Sequence, residues 1–259
     1  MSIQRVWTVA TNVFREVIRD RILYLIGFFA IALFAIASLL PYVAANTQDK
    51  ILLDVGLAAI GLAGLVTAVF IGTGLINKEI EKRTVFVLIA KPVNLSEFIV
   101  GKHLGLSAVL AVLMTAMTMI YFAVLAANNV SYPFGSILLA IIYQFLELSL
   151  ITAVAILFGV FTSSILATVL SFAIYLMGHF SRDLVEFGKI AENTTIERIT
   201  EVAYLVLPDL SRLTLRNEAV YGSELLPPPL ELFSHAIYAI IYAALLLTIS
   251  TIIFSRREF

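Results

Sequence analysis

The stretch NKEIEKRTVFVLIAKPVNLSEFIVGKH, residues 77–103, separates two long apolar segments that carry almost no charge. It contains five Lys or Arg residues and one proline. Basic residues in short connections favour the cytoplasmic side of a membrane. The stretch is therefore typical of a cytoplasmic connection between two membrane-spanning helices.

The composition supports a membrane protein. Of the 259 residues, 61% are hydrophobic and 14% are charged, whereas soluble domains carry roughly 25% charged residues. The net charge of −1 argues against a nucleic-acid partner. The chain has no cysteine and only three scattered histidines, so we expect neither disulfides nor a metal site.

Six segments are long enough to cross a bilayer core, which needs roughly 20 apolar residues in a helix. A short polar break, FTSS at 161–164, separates the fourth segment from the fifth and is interpreted as a tight hairpin. The sequence thus predicts an all-α integral membrane protein, a single transmembrane domain over 1–259 with spans near 22–45, 51–76, 104–127, 134–161, 163–180 and 232–254.

The distribution of basic residues predicts the orientation. They concentrate in the N-terminal segment, in 77–103 and at the C-terminus, while the connection at 128–133 has none. Six crossings with both termini cytoplasmic place every basic connection on one side. The long connection at 181–231 then lies outside, because long loops cross largely regardless of charge.

Residues 1–21 predict an amphipathic elbow helix at the cytoplasmic interface. Apolar residues recur at spacings of three and four from Ile3 to Ile18, and arginines occupy the opposite face. Two interpretations stay open: a simple anchor before the first span, or an elbow that also contacts a cytoplasmic partner.

Within 77–103, the pattern predicts a helix, a break at Pro92 and a second helix capped by Asn94 or Ser96, with Glu97 in its first turn. The charges alone could serve only to fix the topology. The apolar set at 85–89, however, requires burial in the membrane surface or in a partner's groove.

This stretch resembles the cytoplasmic region of the type-two ABC export permeases, in which an acidic residue, a Thr, an apolar run and a Pro-Val segment precede Gly-Lys. The matching residues are Glu79, Thr84, Leu88, Pro92, Val93, Glu97, Gly101 and Lys102. Arg83 stands where Gly is common, and Leu95 stands where Arg is common. The segment LPDLSRLTLRNEAVYG at 207–222 also resembles permeases that serve copper maturation of nitrous-oxide reductase.

The resemblance implies a permease subunit of the plasma (cell inner) membrane, with a coupling helix seated on a separate ATPase. The chain has no Gly-x-x-x-x-Gly-Lys-Ser/Thr loop, so we expect no enzyme activity here and expect ATP and Mg to be bound by the partner subunit. A second permease copy, as a homodimer or a heterodimer, completes the expected assembly in the lipid membrane. The predicted docking residues are Glu79, Glu81, Lys82, Arg83, Thr84, Lys91, Pro92, Glu97 and Lys102.

Two further sets of residues lie inside the predicted spans. Gln144 and Glu147 are polar residues in the fourth span and predict either a translocation or proton site, or a protonated Glu bonded to a neighbouring helix. Small residues at spacings of about one or two turns predict close helix packing, within the chain or at a dimer interface: Gly64, Ala68, Gly72, Ser164 and Ser171.

The outer connection predicts short helices near 182–191 and 195–206, which form either a lid or a docking site for an extracytoplasmic partner. Two alternatives to a permease stay open. One is a membrane scaffold or assembly factor of the same architecture. The other is an intramembrane enzyme built around Glu147 and His179, for which the chain lacks a His-Glu-x-x-His motif.

Overall fold

A computed structural model of the chain describes residues 2–20, 22–44, 47–81, 94–191 and 193–256. Over these ranges the regular structure is helical, with 3-10 turns at Leu210–Arg212 and Ser223–Leu225. The α-helices are α1 (Ile3–Asp20), α2 (Ile22–Val43), α3 (Gln48–Glu81), α4 (Leu95–Ala127), α5 (Phe134–Phe161), α6 (Ser164–His179), α7 (Ser181–Ile190), α8 (Thr194–Val206), α9 (Arg216–Tyr221) and α10 (Pro229–Ser255). The following predicted docking residues lie outside the described residues: Lys82, Arg83, Thr84, Lys91 and Pro92.

Five helices, α2, α3, α4, α5 and α10, are each long and apolar enough to cross a membrane. The predicted span at 163–180 corresponds to α6, which has only 16 residues and is about 24 Å long at 1.5 Å per residue. It qualifies as a span only together with α7, from which it is separated by a bend of 63°. The all-α membrane fold is confirmed, with five helices that each fit a membrane span and one bent pair that fits either a broken sixth span or a re-entrant loop.

Helices α3 and α4 extend well past the predicted span limits at the charged connection. α3 continues to Glu81 rather than ending near 76, and α4 begins at Leu95 rather than near 104. Asn94 is the N-cap of α4, and its backbone N–H donates to Oε2 of Glu97 at 3.3 Å. This bond is half of a capping box, which explains why the helix begins among polar residues.

α3 packs closely on α5 through glycines. A Cβ at Gly72 would lie 2.9 Å from Cβ of Ala155, and a Cβ at Gly64 would overlap the side chain of Leu148. Nearer the start of α3, a Cβ at Gly61 would overlap the side chain of Gln144. Glycine therefore lets the two backbones approach at these positions, as is common between membrane helices.

α1 packs along the first half of α4, again against glycines. A Cβ at Gly105 would lie 2.6 Å from the carbonyl oxygen of Ala10, and a Cβ at Gly101 would lie 2.7 Å from Cβ of Val9. The buried face of α1 consists of Val6, Ala10, Val13 and Val17, while Ile3 and Trp7 remain exposed. The predicted amphipathic helix is thus present, and the middle of its apolar face is covered by the chain itself.

The first and last described parts of the chain, at Ser2 and Phe254, lie at the same end of the bundle, which we call the termini end. Phe98, in the first turn of α4, stacks on Phe254 near the end of α10 with ring centroids 6.0 Å apart. The backbone N–H of Ser2 reaches Oε1 of Glu97 one residue earlier. The opposite end, where Tyr121 of α4 donates to the carbonyl of Leu53 in α3, is called the loop end.

The connection between α6 and α10 enters the bundle. Its two predicted helices are present as α7 and α8, and α8 exposes an apolar face that includes Ile199 and Leu205. Residues 207–216, here called the loop segment, follow α8, and Leu210 and Leu213 of this segment are fully buried in the core. A Cβ at Gly178 of α6 would lie 2.7 Å from the carbonyl oxygen of Pro208, so the segment packs directly against α6.

Asp209 fixes the loop segment in place. Its carboxylate accepts hydrogen bonds from Nε of Arg212 at 2.9 Å, Nε of Arg182 at 3.1 Å and Oγ of Ser211 at 2.5 Å. Burial acts to raise the pKa of Asp209, but these hydrogen bonds prevail and hold the pKa below its ordinary value. Asp209 is therefore ionised and links α7 to the loop segment.

Candidate functional site

Glu147 lies near the middle of α5 and is only 4% exposed. Its Oε1 is 3.2 Å from Nε2 of His179, the last residue of α6. The hairpin between α5 and α6 explains this contact. Glu147 precedes the end of α5 by 14 residues and His179 follows the start of α6 by 15, so the two are level in the antiparallel pair.

The hydrogen bonds around His179 define where its protons lie. Nδ1 is 3.0 Å from the carbonyl oxygen of Tyr175, which can only accept, so Nδ1 carries a proton. Nε2 faces the Glu147 carboxyl group and also lies 3.1 Å from Oγ1 of Thr214 in the loop segment. The Thr214 hydroxyl in turn donates to the carbonyl of Leu210 at 3.2 Å.

One protonation state satisfies all of these contacts together. If Nε2 carries a proton, it donates towards Glu147 and Thr214, and the Thr214 hydroxyl remains free to donate to Leu210. If Nε2 carries none, Glu147 and Thr214 must compete as donors for one lone pair. The geometry therefore favours an imidazolium beside a carboxylate, a pair that shares one proton inside the bundle.

This cluster borders a cavity of about 140 Å³, called here the polar cavity. Its polar lining comes from four parts of the fold, with Gln144 and Glu147 on α5, Tyr175 and His179 on α6, Thr214 in the loop segment, and Arg216 at the start of α9. Nε2 of Gln144 donates to the carbonyl of Leu57 at 3.3 Å, while its Oε1 is buried and has no hydrogen-bond partner in the described part of the chain. The volume is sufficient for several water molecules.

An ion pair between Arg216 and Asp54 lies on the side of the polar cavity nearer the loop end, and it is more exposed than the Glu147–His179 pair. Nε of Arg216 lies 3.4 Å from Oδ1 of Asp54 in the first turns of α3, and both side chains are at least 40% exposed. The distance fits an ion pair, but the Nε atom makes no well-aligned hydrogen bond within the described residues. At this exposure the pair contributes about 0–1 kcal/mol, so it borders the cavity rather than holding it together.

The arrangement can exchange a proton but does not resemble a hydrolase triad. In a triad the acid orients Nδ1 while the nucleophile faces Nε2. Here both Glu147 and Thr214 approach Nε2, and Nδ1 is used by a backbone carbonyl. Among the described residues, no group of three or more His, Cys, Asp or Glu side chains could hold a metal ion.

The structure thus brings together Gln144 and Glu147, which the sequence predicted as a polar site, with His179, which the sequence paired with Glu147 only in the alternative of an intramembrane enzyme. The hairpin is a second signal for this pair, because Glu147 and His179 are separated from the FTSS break by nearly equal numbers of residues. Thr214 and Arg216 carried no such signal, since their positions depend on how the loop segment enters the bundle.

The described docking residues that the sequence predicted fall into two groups, one at the end of α3 and one buried in α4. Glu79 and Glu81 lie in the last turn of α3 at the termini end. Glu97 is 1% exposed and accepts the Ser2 N–H at 2.6 Å. Lys102 is also buried, with Nζ 3.5 Å from the carbonyl oxygen of Leu75 and 5.2 Å from the centroid of the Phe98 ring. Glu97 and Lys102 therefore contact other parts of this chain rather than an external surface.

The predicted small-residue positions lie in contacts within the chain. Gly64 and Gly72 face α5, and Ala68 between them is fully buried. On α6, Ser171 is fully buried and Ser164 is half-buried. Near them, the hydroxyl groups of Thr73 and Thr168 lie 3.1 Å apart, which joins α3 to α6.

Comparison with known families gives a match over most of the chain. A family described as "ABC-2 family transporter protein" matches residues 7–259 of the chain. No curated protein matches the chain. The family match covers α2 to α10 and most of α1, and so includes both the termini end and the polar cavity.

Proposed function

The chain belongs to the ABC-2 family of transporter membrane proteins, and from this premise we propose that it is a permease subunit that couples ATP hydrolysis by a separate ATPase subunit to export or conformational work. The observation that carries the proposal is the family match over nearly the whole chain. Proteins of this family are membrane subunits that normally work with an ABC ATPase. The chain's own sequence has no loop of the type that cradles ATP phosphates, so ATP and Mg belong to the partner.

The proposed docking surface lies at the termini end, where α3 and α4 extend past their predicted span limits. In this proposal the ATPase contacts Glu79 and Glu81 together with the connection at 82–93, including Lys82, Arg83, Thr84, Lys91 and Pro92. Glu97 and Lys102 have a different role, because they are buried. Glu97 binds the start of α1, so a force on the connection would reach α1 through this contact.

The orientation follows from the same assignment. Both termini are proposed to face the cytoplasm and the chain to reside in the plasma (cell inner) membrane, since the basic residues concentrate at 77–103 and near the two termini. α7, α8 and the loop segment would then lie on the outer side, where an extracytoplasmic partner could bind them.

A second copy of a permease chain is proposed to complete the transporter. α2 supports this proposal, because most of its span is exposed in the single chain and a Cβ at Gly27 would meet no atom within 4 Å. Lipid also covers such faces, so cross-linking is the test. The chain has no cysteine, and a single Gly27→Cys substitution is expected to give a disulfide-linked dimer if α2 faces its copy.

Within the family, we assign the chain to the branch that serves copper maturation of nitrous-oxide reductase. The support is the resemblance of residues 207–222. In the structure this segment includes the loop segment and α9, and it lines the polar cavity through Thr214 and Arg216. In this proposal the segment lies beside the intramembrane polar site formed by Gln144 and Glu147.

Purification from the native membrane tests the proposal. We expect a tagged chain to copurify with an ATPase subunit, and its consistent absence would support the membrane scaffold instead. The substitutions Glu79→Lys and Glu81→Lys should remove the ATPase while the chain still elutes as a single folded species. The matched control is Glu224→Lys, an exposed acidic residue near the loop end, which should retain the ATPase. Loss of the ATPase in the control as well, or retention in all three variants, contradicts the docking assignment.

A further inference from the structure

We propose that Glu147 and His179 form a proton-binding site that latches the loop segment onto the membrane bundle. With one shared proton, the site holds the loop segment through Thr214. Without it, the latch is released. The inference goes beyond the proposed function, because it needs neither an ATPase nor a cargo and concerns a site for which the ligand is a proton.

The first step is that the pair is enclosed. Glu147 is 4% exposed, and the His179 side chain is 25% exposed and faces the polar cavity. An ionised carboxylate at this depth is costly unless it is paired. The contact of 3.2 Å between Oε1 and Nε2 supplies that pairing.

The second step is that the same nitrogen connects the bundle to the loop segment. Nε2 of His179 lies 3.1 Å from the hydroxyl of Thr214, and that hydroxyl donates to the carbonyl of Leu210. The Thr214 hydroxyl has one hydrogen, so it can donate to Leu210 and also hydrogen-bond Nε2 only when Nε2 carries a proton and donates. The contacts of the loop segment therefore depend on the charge of the pair.

The third step is what proton loss changes. Nε2 would present a lone pair to a carboxylate oxygen, and Glu147 would lose its only hydrogen-bond donor among the described residues. The Thr214 hydroxyl would turn to Nε2 and leave the Leu210 carbonyl. Both changes weaken the attachment of the loop segment, because a buried charged acceptor without a donor is among the more costly defects.

Charged and titratable groups also face the pair from the neighbouring helices. Tyr175 of α6 and Arg216 of α9 face it from within the polar cavity, and Asp54 of α3 approaches Arg216 from outside the cavity. Arg216 stays charged throughout the accessible pH range. The other two histidines, His103 on α4 and His235 on α10, have contacts of their own and do not line the cavity. Glu147 and His179 are the titratable pair in direct contact at this site, so the proton of the latch is shared between these two side chains.

Thiol labelling of the full chain in lipid nanodiscs measures release of the loop segment. Ala219 of α9 is fully buried beside α3 and α5, and the chain has no cysteine, so Ala219→Cys gives a unique reporter. Its labelling rate is divided by that of Ser223→Cys, an exposed position that corrects for the pH dependence of thiol reactivity. Between about pH 6 and 9, the normalised rate should rise on the order of tenfold as the shared proton is lost.

Two variants assign this change to the pair. His179→Gln removes the imidazole that carries the shared proton, so the normalised rate should become independent of pH. Glu147→Gln keeps the imidazole but removes the carboxylate that stabilises its charged form, so the rise in the normalised rate should move to lower pH. A pH dependence equal to that of the parent in either variant would overturn the proposal, as would a flat profile in the parent.

Thr214→Val is a second test of the latch, to be used if those variants do not fold. It removes the hydroxyl while Glu147 and His179 remain. The normalised rate should then be high and independent of pH, because the latch is cut on the loop side. A Thr214→Val chain that labels with the parent's pH profile would refute the role of Thr214 and, with it, the proposed latch.

Discussion

Replacing Glu97 should make α1 open from α4 more often. The carboxylate accepts the Ser2 N–H at 2.6 Å and the Asn94 N–H at 3.3 Å. Nη1 of Arg5 lies 3.7 Å away, but its side chain is 45% exposed. A hydrogen bond to a charged group contributes about 1.5–3 kcal/mol, whereas a half-exposed ion pair adds less than about 1 kcal/mol.

Counting mainly the short Ser2 bond, Glu97→Ala should cost about 2 kcal/mol of α1 docking. At about 1.4 kcal/mol per tenfold, this cost corresponds to roughly 30-fold more frequent opening. A thiol at Ala10→Cys, on the buried face of α1, should then label roughly 30-fold faster with a water-soluble maleimide. Glu97→Gln, which keeps one neutral acceptor, should give a smaller increase.

The matched control is Glu16→Ala, which removes an exposed carboxylate from α1 itself. Its labelling rate should equal that of the parent. If Glu97→Ala labels within about twofold of the parent while the chain remains folded, the Ser2 contact does not hold α1 and the magnitude expected from hydrogen-bond strength is refuted.

Three further predictions concern the stability of the fold, each measured as a thermal unfolding midpoint in nanodiscs. The folded-state pKa of Asp209 lies below its ordinary value, so the stability that its carboxylate contributes is present above the ordinary carboxyl range and is lost as pH falls through the lowered pKa. Asp209→Asn should therefore reduce the fall of the unfolding midpoint at acid pH. An unchanged fall would contradict this prediction. Gly72→Val should cost about 1–3 kcal/mol by pushing α3 from α5, whereas Gly74→Val on the same helix, where a Cβ meets nothing within 4 Å, should cost less; equal losses would point to helix propensity instead. Tyr121→Phe removes a buried bond of 2.9 Å to the Leu53 carbonyl and should cost about 1 kcal/mol; a midpoint equal to that of the parent would show that this bond contributes nothing.

Much of the helical architecture could be predicted because its signals are local. The spans are long apolar runs, and the outer helices follow apolar spacing and cap residues, so α7 and α8 fall within one or two residues of the predicted limits. The start of α4 was also predictable from cap residues. Asn94 is its N-cap and Glu97 lies in its first turn, as the sequence predicted, although hydropathy alone places the span nine residues later.

The buried loop segment and the buried charges could not be predicted in the same way. Leu210 and Leu213 lie among Pro, Asp and Arg residues without a helical or strand period, so the pattern resembles a surface loop. Glu97 is charged and near a predicted connection, yet α1 covers it from 95 residues away in the chain. Such contacts depend on tertiary packing, which local spacing does not encode.

The packing of α1 on α4 also sets an order of events during synthesis. α1 leaves the ribosome before α4, and the glycines that receive it, Gly101 and Gly105, are made some eighty residues later. Until α4 has been inserted, the valines on the buried face of α1 have only lipid to cover them. α1 therefore cannot dock at the termini end before α4 has been inserted, and a nascent chain that stops before Gly105 lacks part of the surface that receives it.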